Sequence, residues 1–227
     1  SDNRAFNRLY ELVGQARINR AMWRAGLAST RIRHRLSEFR SERDNRRFPA
    51  IDFLAAKGGE PVLRVPPREE PALDRLAPAS PAEARARRMR IGTAHVADGR
   101  RIDGPLDSSG KNAVSLRDLQ DGLAMVVRPD LARLGPGFGL GPRRALLVEA
   151  LELVPRECPS PRYDPAEYPD DYVKFFLPGL ERVLPRERLR VLGKVGVAYG
   201  FTVENSYVED RATGRALPSS IRAVSRT

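Results

Sequence analysis

The 227-residue sequence predicts a mixed α/β (α+β) fold, with a helical portion first and an antiparallel sheet last. Three observations carry that expectation. Apolar residues recur at helical spacing near the N-terminus and again between residues 115 and 154. Residues 189–197 and 201–208 are rich in β-formers, with Gly200 between them. Hydrophobic residues make up 41% of the chain, enough to bury a core.

In chain order, residues 3–13 read as a helix with Phe6, Leu9, Tyr10 and Val13 on its apolar face and Gly14 as its stop. A second helix is expected from about residue 16 to 25, with Ile18, Met22 and Ala25 on one side and Gly26 ending it. Residues 60–84 are proline-rich without clean periodicity, the pattern of a surface excursion or insertion. Ser115-Leu116-Arg117-Asp118 has the form of a capping box, and Leu116, Leu119, Leu123, Val126 and Val127 continue it as a helix closed near Pro129. Residues 135–142 hold four glycines and two prolines, hence a loop. A further helix is expected over 142–154, with Pro142 at its start and Leu146, Leu147, Ala150 and Leu151 as its apolar residues. After the two strands, Ala212-Thr213-Gly214 predicts a turn. The following stretch, Ala216 to Arg222, is polar and broken by Pro218, so no third strand is expected there. The expected organisation is a mainly helical part over 1–145 carrying a proline-rich insertion at about 60–84, a helix-and-sheet part over 146–216, and an atypical tail over 217–227.

Forty Lys and Arg against 29 Asp and Glu give a net charge of +11. Only Lys57, Lys111, Lys174 and Lys194 are lysines, and the arginines are spread along the chain, densest over 31–47 and 85–101. Aromatic residues for base stacking are few and no nucleic-acid module signature is present, so the charge reads as a solvated basic surface and no nucleic-acid partner is expected. A basic module for nucleic acid or an anionic surface is the alternative function. The single cysteine, Cys158, excludes an internal disulfide framework and a Cys-built zinc site; His34 and His95 read as surface or packing residues, and no metal or other cofactor is expected. No run approaches the length of a membrane span, and no signal-peptide pattern occurs within the chain. Residues 104–111 miss the spacing of a phosphate-binding loop. Tyr172 to Leu177 reads as packing.

Two short motifs point to chemistry. Ser1-Asp2-Asn3 opens the first helix, and Lys194-Val195-Gly196-x-x-Tyr199-Gly200 lies on an expected strand. Between them come Asn7-Arg8-Leu9 through Gly14, Arg35-Leu36, the capped helix after Asn112, the 142–154 helix and Tyr-Val-Lys-Phe-Phe-Leu at 172–177. In that order these residues resemble the C-terminal two-thirds of the class A β-lactamase/D-Ala-D-Ala peptidase superfamily, closest to its β-lactamase-related serine hydrolases. The resemblance implies a β-lactamase/DD-peptidase-like fold and acyl transfer through a covalent seryl ester. It assigns Ser1 to proton relay and Asn3 to the substrate amide carbonyl. Lys194 is assigned to the substrate carboxylate and the electrostatics of the site, and Gly196 to close approach of substrate. The backbone N–H of Val197 becomes an oxyanion donor. Small-molecule substrates are implied, whether β-lactams, peptidoglycan-type amides or esters. A periplasmic or extracellular location is implied for the intact protein.

The sequence departs from that pattern in several places. The chain's S-x-x-K is Ser108 to Lys111, in a loop and in the wrong order for a nucleophile. Val195 stands where the family carries Thr or Ser, and neither Glu38 nor Glu42 matches the Ω-loop glutamate pattern. With Ser at position 1 and an atypical tail, the expectation is a fragment, incomplete at both ends, inactive and of low stability alone. A role for Ser1 as an N-terminal nucleophile finds no other support.

Overall fold

The computed structural model describes residues 3–55, 58–76, 89–130 and 138–224, with side chains described as far as 219. These residues fall into two units, one drawn from residues 1–24, 28–89 and 107–114, the other from 25–27, 90–106 and 115–227.

Glycine ends both N-terminal helices, as the sequence predicts. Helix α1 (Asn3–Val13) stops at Gly14, whose φ is 90° and whose N–H donates to Tyr10 O at 2.9 Å. Helix α2 (Gln15–Arg24) is followed by Gly26 at φ 91°. The faces they bury overturn the expectation. Leu9 is 62% exposed and Val13 is exposed too, whereas Asn7, Tyr10 and Glu11 are buried. In α2 the buried residues are Gln15, Ala16 and Asn19, with Ile18 and Met22 only half-buried. The reason lies in what the helices cover. Residues 31–36 run beside them without forming a strand of any sheet, and their backbone polar groups need partners.

Asparagine side chains supply those partners. The amide N–H groups of five successive residues each donate to an Asn oxygen. Ile32 donates to Asn19 Oδ1 (2.9 Å), Arg33 and His34 to Asn112 Oδ1 (2.7 and 3.0 Å), Arg35 to Asn45 Oδ1 (3.0 Å) and Leu36 to Asn7 Oδ1 (2.7 Å). Asn19, Asn112 and Asn7 return the bond through Nδ2 to Ile32 O, His34 O and Leu36 O. Gln15 Nε2 and Tyr10 Oη donate to Arg33 O at 2.7 and 3.0 Å. Burial pushes the Tyr10 hydroxyl up to about 12, so it stays a donor.

Arg35 is fully buried. Its Nε donates to Glu11 Oε1 at 2.9 Å, and its terminal nitrogens to Asp44 O and Arg47 O at 3.2 and 3.1 Å. The guanidinium lies 5.6 and 5.7 Å from the ring centres of Tyr10 and Phe48. A short helix α3 (Glu42–Asn45), capped by Ser41, delivers Asn45 and the Asp44 carbonyl. Strand β1 (Arg47–Phe48) pairs with β4 (Arg68–Glu69), and β2 (Ile51–Leu54) forms a hairpin with β3 (Pro61–Val65). The proline-rich stretch is therefore not a mere excursion. Arg68 donates to Glu11 O and Leu12 O, Glu70 accepts the Ala16 N–H at 2.6 Å, and Leu73 is buried. Residues 77–88 lie outside the described residues.

The second unit contains the short strand β5 (Arg90–Ile91) and the β6 (Ala94–Ala97)–β7 (Arg100–Asp103) hairpin. After them in sequence comes β8 (Leu106–Asp107). Its main feature is an antiparallel sheet ordered β11-β10-β9, built from β9 (Leu189–Ala198), β10 (Phe201–Asp210) and β11 (Ala216–Val224). Tyr199 and Gly200, at φ 53° and 77°, make a two-residue hairpin turn that needs positive φ at both positions. Strand β11 corrects the expectation of no third strand. It pairs along β10 from Ala216↔Glu209 to Val224↔Phe201, with Pro218 opposite Tyr207. Proline is disfavoured in a central strand because it lacks the N–H that one of the two flanking ladders would need, but β11 is at the edge, where the side away from β10 needs no donor.

Helix α4 (Leu116–Val127) begins at the expected cap, with Ser115 Oγ accepting the Asp118 N–H at 3.1 Å. Leu123 and Val127 join Leu192 and Tyr207 in a core on one face of the sheet. Helix α5 (Arg143–Glu152) contributes Val148 and Leu151 to that core. Leu146 and Leu147 are exposed, against expectation, because the packed stripe is Arg144, Val148, Leu151 and Glu152. On the opposite face Leu177, from the short helix α6 (Leu177–Leu180), packs with Leu189 and Val191.

Gly193 sets the closeness of β9 to β10. A Cβ there would meet Ser206 Oγ at 2.3 Å and Asn205 O at 2.7 Å, and Ser206 is fully buried. Gly193→Ala should lower stability by about 1–3 kcal/mol through overpacking, while Gly196→Ala, which would meet nothing within 4 Å, leaves it unchanged. Urea midpoints of the two variants check this.

Candidate functional site

The residues singled out from the sequence lie in two places. Lys194, Gly196 and Val197 share β9 in the second unit, and Asn3 opens α1 in the first. Ser1 lies outside the described residues.

The register of β9 shows which of its groups point away from β10. The two-residue turn makes Ala198 and Phe201 a hydrogen-bonded pair. Pairs then alternate, so Val197↔Thr202, Val195↔Glu204 and Gly193↔Ser206 are non-bonded pairs whose β9 N–H and C=O groups point away from β10. Because β9 is an edge strand, they face the open side of the sheet. Two lysines fill part of that edge. Lys174 Nζ donates to Gly193 O at 3.1 Å, and Lys194 Nζ to Val195 O at 3.0 Å. The Val197 N–H belongs to the same edge, and Val197 is 71% exposed. An outward backbone donor on a strand, one residue after an exposed glycine, can hold an oxyanion or an extended substrate. The Lys194 side chain is exposed overall, but its ammonium folds back onto its own strand, and that local desolvation lowers its pKa.

In the first unit Asn3 Nδ2 donates to Ser37 Oγ at 2.8 Å, and Asn7 Nδ2 donates to Glu38 Oε1 at 2.8 Å while also holding Leu36. Helical spacing puts Asn3 and Asn7 one turn apart on the same face, so α1 presents two amides to 36–38. Ser37 takes φ 54°, a left-handed conformation unusual outside glycine, directly before Glu38. Slight burial pushes the Glu38 carboxyl up, but the hydrogen bonds from Arg40 and Asn7 outweigh it and hold the group below its usual range. It is a fixed, ionised acceptor at neutral pH. The sequence signal was present in Asn7 and Arg35-Leu36; what it lacked was the amide bridge that ties them to Glu38.

Ser108 is occupied otherwise. It is buried, its Oγ donates to Met89 O at 2.9 Å, and residues 108–111 form a turn, so its hydroxyl serves as an anchor. His34 is a packing residue. Its Nε2 accepts the Asn112 N–H at 3.2 Å, which leaves Nδ1–H to donate to Arg35 O at 2.6 Å. Burial lowers its pKa.

Lys174 is the residue whose importance the sequence understated. It is 2% exposed, and its ammonium bridges Leu151 O at the end of α5 to Gly193 O on β9. Nearby Glu204 is itself buried, with its carboxylate accepting from Phe176 N–H at 2.8 Å and Ser206 Oγ at 2.5 Å.

Residues 1–57 match the model of the Beta-lactamase enzyme family. No curated protein and no solved structure matches the chain. The matched stretch holds Asn3, Asn7, Arg35, Leu36 and Glu38, and it ends before Lys194, Gly196 and Val197. The mixed helices and small antiparallel sheets agree with an α+β fold of that kind at a coarse level. Among the described residues no helix is long and apolar enough to cross a membrane.

Burial lowers the Lys174 ammonium to about 8, with Glu204 raising it in part and Lys194 lowering it further. The unfolded chain keeps this proton up to the ordinary value of 10.5, so between those values the folded state binds fewer protons and stability rises with pH. Relative to Lys174→Met, the wild-type chain should gain about 3 kcal/mol between pH 8 and pH 10.5. Urea unfolding of both proteins at the two pH values measures the difference.

Proposed function

We propose that this chain carries part of the substrate-binding and acyl-transfer machinery of a β-lactamase-like serine hydrolase acting on small molecules. The observation that carries the reading is the match of residues 1–57 to that family, over a stretch where Asn3 and Asn7 meet Ser37 and Glu38. The open edge of β9 supports it independently.

In this reading the Asn3 amide donates to the substrate's amide carbonyl and Ser1 relays a proton to the leaving nitrogen. Lys194 attracts the substrate carboxylate. Its lowered pKa comes from desolvation, and a bound carboxylate would favour its charged form. The Val197 N–H stabilises the oxyanion as the acyl carbonyl becomes tetrahedral, and Gly196 lets that carbonyl approach the strand, since nothing lies within 4 Å of where a Cβ would stand. Val195 offers no hydroxyl for the carboxylate, so Lys194 bears that contact with less help. Glu38 is an ionised carboxylate at the Asn7 end of the cluster; with its pKa lowered and both oxygens accepting hydrogen bonds, it orients Asn7 rather than serving as a base. The nucleophile is a serine in an S-x-x-K pair, which Ser108 and Lys111 do not supply. A β-lactam, a peptidoglycan-type amide or an ester all present a carbonyl that such machinery handles, and a periplasmic or extracellular location is part of the proposal.

The test is reversible binding to the chain of a penicillin and of a peptidoglycan-type N-acyl dipeptide, measured by calorimetry. Both carry a carboxylate beside an acyl carbonyl and should bind, about tenfold or more weakly in Lys194→Ala and in Asn3→Ala with folding intact by circular dichroism. No binding of either probe, or binding indifferent to both substitutions, would contradict the proposal.

A further inference from the structure

A second site is suggested by a cavity of about 570 Å³ in the unit that carries the sheet, at the Leu189–Val191 end of β9. It has the size of a small-molecule pocket. Its floor is apolar, from Val148, Leu177, Leu189 and Val191, and its walls carry five cations, Arg144, Lys174, Arg186, Arg190 and Arg211, against three carboxylates.

Most of those charges are already committed. Arg144 donates to Val126 O and Val127 O at the end of α4. Arg190 and Arg211 share Glu152, and Arg190 also reaches Glu209 at 3.3 Å. Glu157 accepts the Val154 N–H at 3.1 Å. Two cations differ. Lys174 Nζ spends two of its three N–H donors, both on uncharged carbonyls, which leaves one without an acceptor among the described residues. Arg186 donates to Leu189 O at 3.3 Å and stands in a long ion pair with Glu181 at 3.6 Å; its side chain is partly exposed, but its buried Nε–H makes no hydrogen bond among the described residues. A buried charged donor without an acceptor is costly unless something else supplies one. Water can satisfy such a donor; an anion would in addition oppose the positive excess among the lining residues, part of which Glu181, Glu204 and Glu209 offset from behind.

We propose that this cavity binds a small organic anion, a carboxylate or phosphate on an apolar body, with the anionic group on Arg186 and Lys174 and the body against Val148, Leu177 and Val191. Neither cation belongs to the machinery assigned to acyl transfer, so the proposal does not depend on that reading.

The experiment is calorimetric titration of the chain with phenyl phosphate and benzoate, with inorganic phosphate and benzyl alcohol as single-feature probes. Phenyl phosphate, benzoate or both should bind, about tenfold or more tighter than inorganic phosphate, and benzyl alcohol should not. Arg186→Gln should weaken binding by about tenfold. Arg182→Gln, which removes the same charge from an exposed position outside the cavity, should leave it unchanged. Lys174→Met, compared at matched foldedness by circular dichroism, should lose affinity as well. Absence of binding by both aromatic anions, equal affinity for inorganic phosphate, or equal loss in the Arg186 and Arg182 variants would overturn the proposal.

Discussion

The first unit depends on one constraint: beyond the Arg31–Ala113 bridge, the backbone of residues 32–36 is packed beside two helices and joins no strand ladder. Five consecutive N–H groups would otherwise be buried without acceptors, at about 1–3 kcal/mol each. Asn19, Asn112, Asn45 and Asn7 meet that need, and each carries both an acceptor and donors, so one side chain can mimic a strand neighbour. Once those amides are in place the rest follows. Arg35 is carried inward with its backbone, and Glu11 must face it, because an unpaired buried guanidinium is far more costly than a paired one. Phe48, Tyr10 and Arg68 then close around it, with the Arg68 guanidinium 4.6 Å from the Phe48 ring centre. Asn7, fixed to Leu36, holds Glu38 in the same stroke.

The second unit solves a different problem with lysine. Strand β9 is an edge, and its outward carbonyls would be open to water or to another strand. Lys174 and Lys194 cover two of them, which blunts the edge near Gly193 and Val195 and leaves Val197 available. The same two side chains therefore protect the fold and define where a ligand can lie. Gly193 permits the tight contact with Ser206 beneath, so the strand's position and its exposed chemistry are set together.

Much of the secondary structure was legible from punctuation. Gly14, Gly26, Ser115 and the Tyr199-Gly200 turn mark ends that the fold respects. The helix faces were not legible, since Asn7, Glu11 and Asn19 look like a solvent side until the segment they bind is known. Leu9 misled for the converse reason. Pro218 hid β11 because its cost depends on sheet order, which local sequence does not state. The basic surface was legible only in part. Arg31 and Arg35 are buried, and Arg46, Arg68 and Arg144 donate to backbone carbonyls, so a share of the arginine content is internal scaffolding. For the candidate site, the residue types were visible in the motifs, but the free edge at Val197 needed the register.

The most direct measurement is amide hydrogen exchange over residues 32–36, followed by NMR or by fragment mass spectrometry. If asparagine side chains hold this segment, the N–H groups of Ile32, Arg33, His34, Arg35 and Leu36 are protected as a contiguous block, comparable to the α1 amides, although they belong to no helix or strand. Exchange of these five at the rate of an open loop, with α1 still protected, would contradict the account.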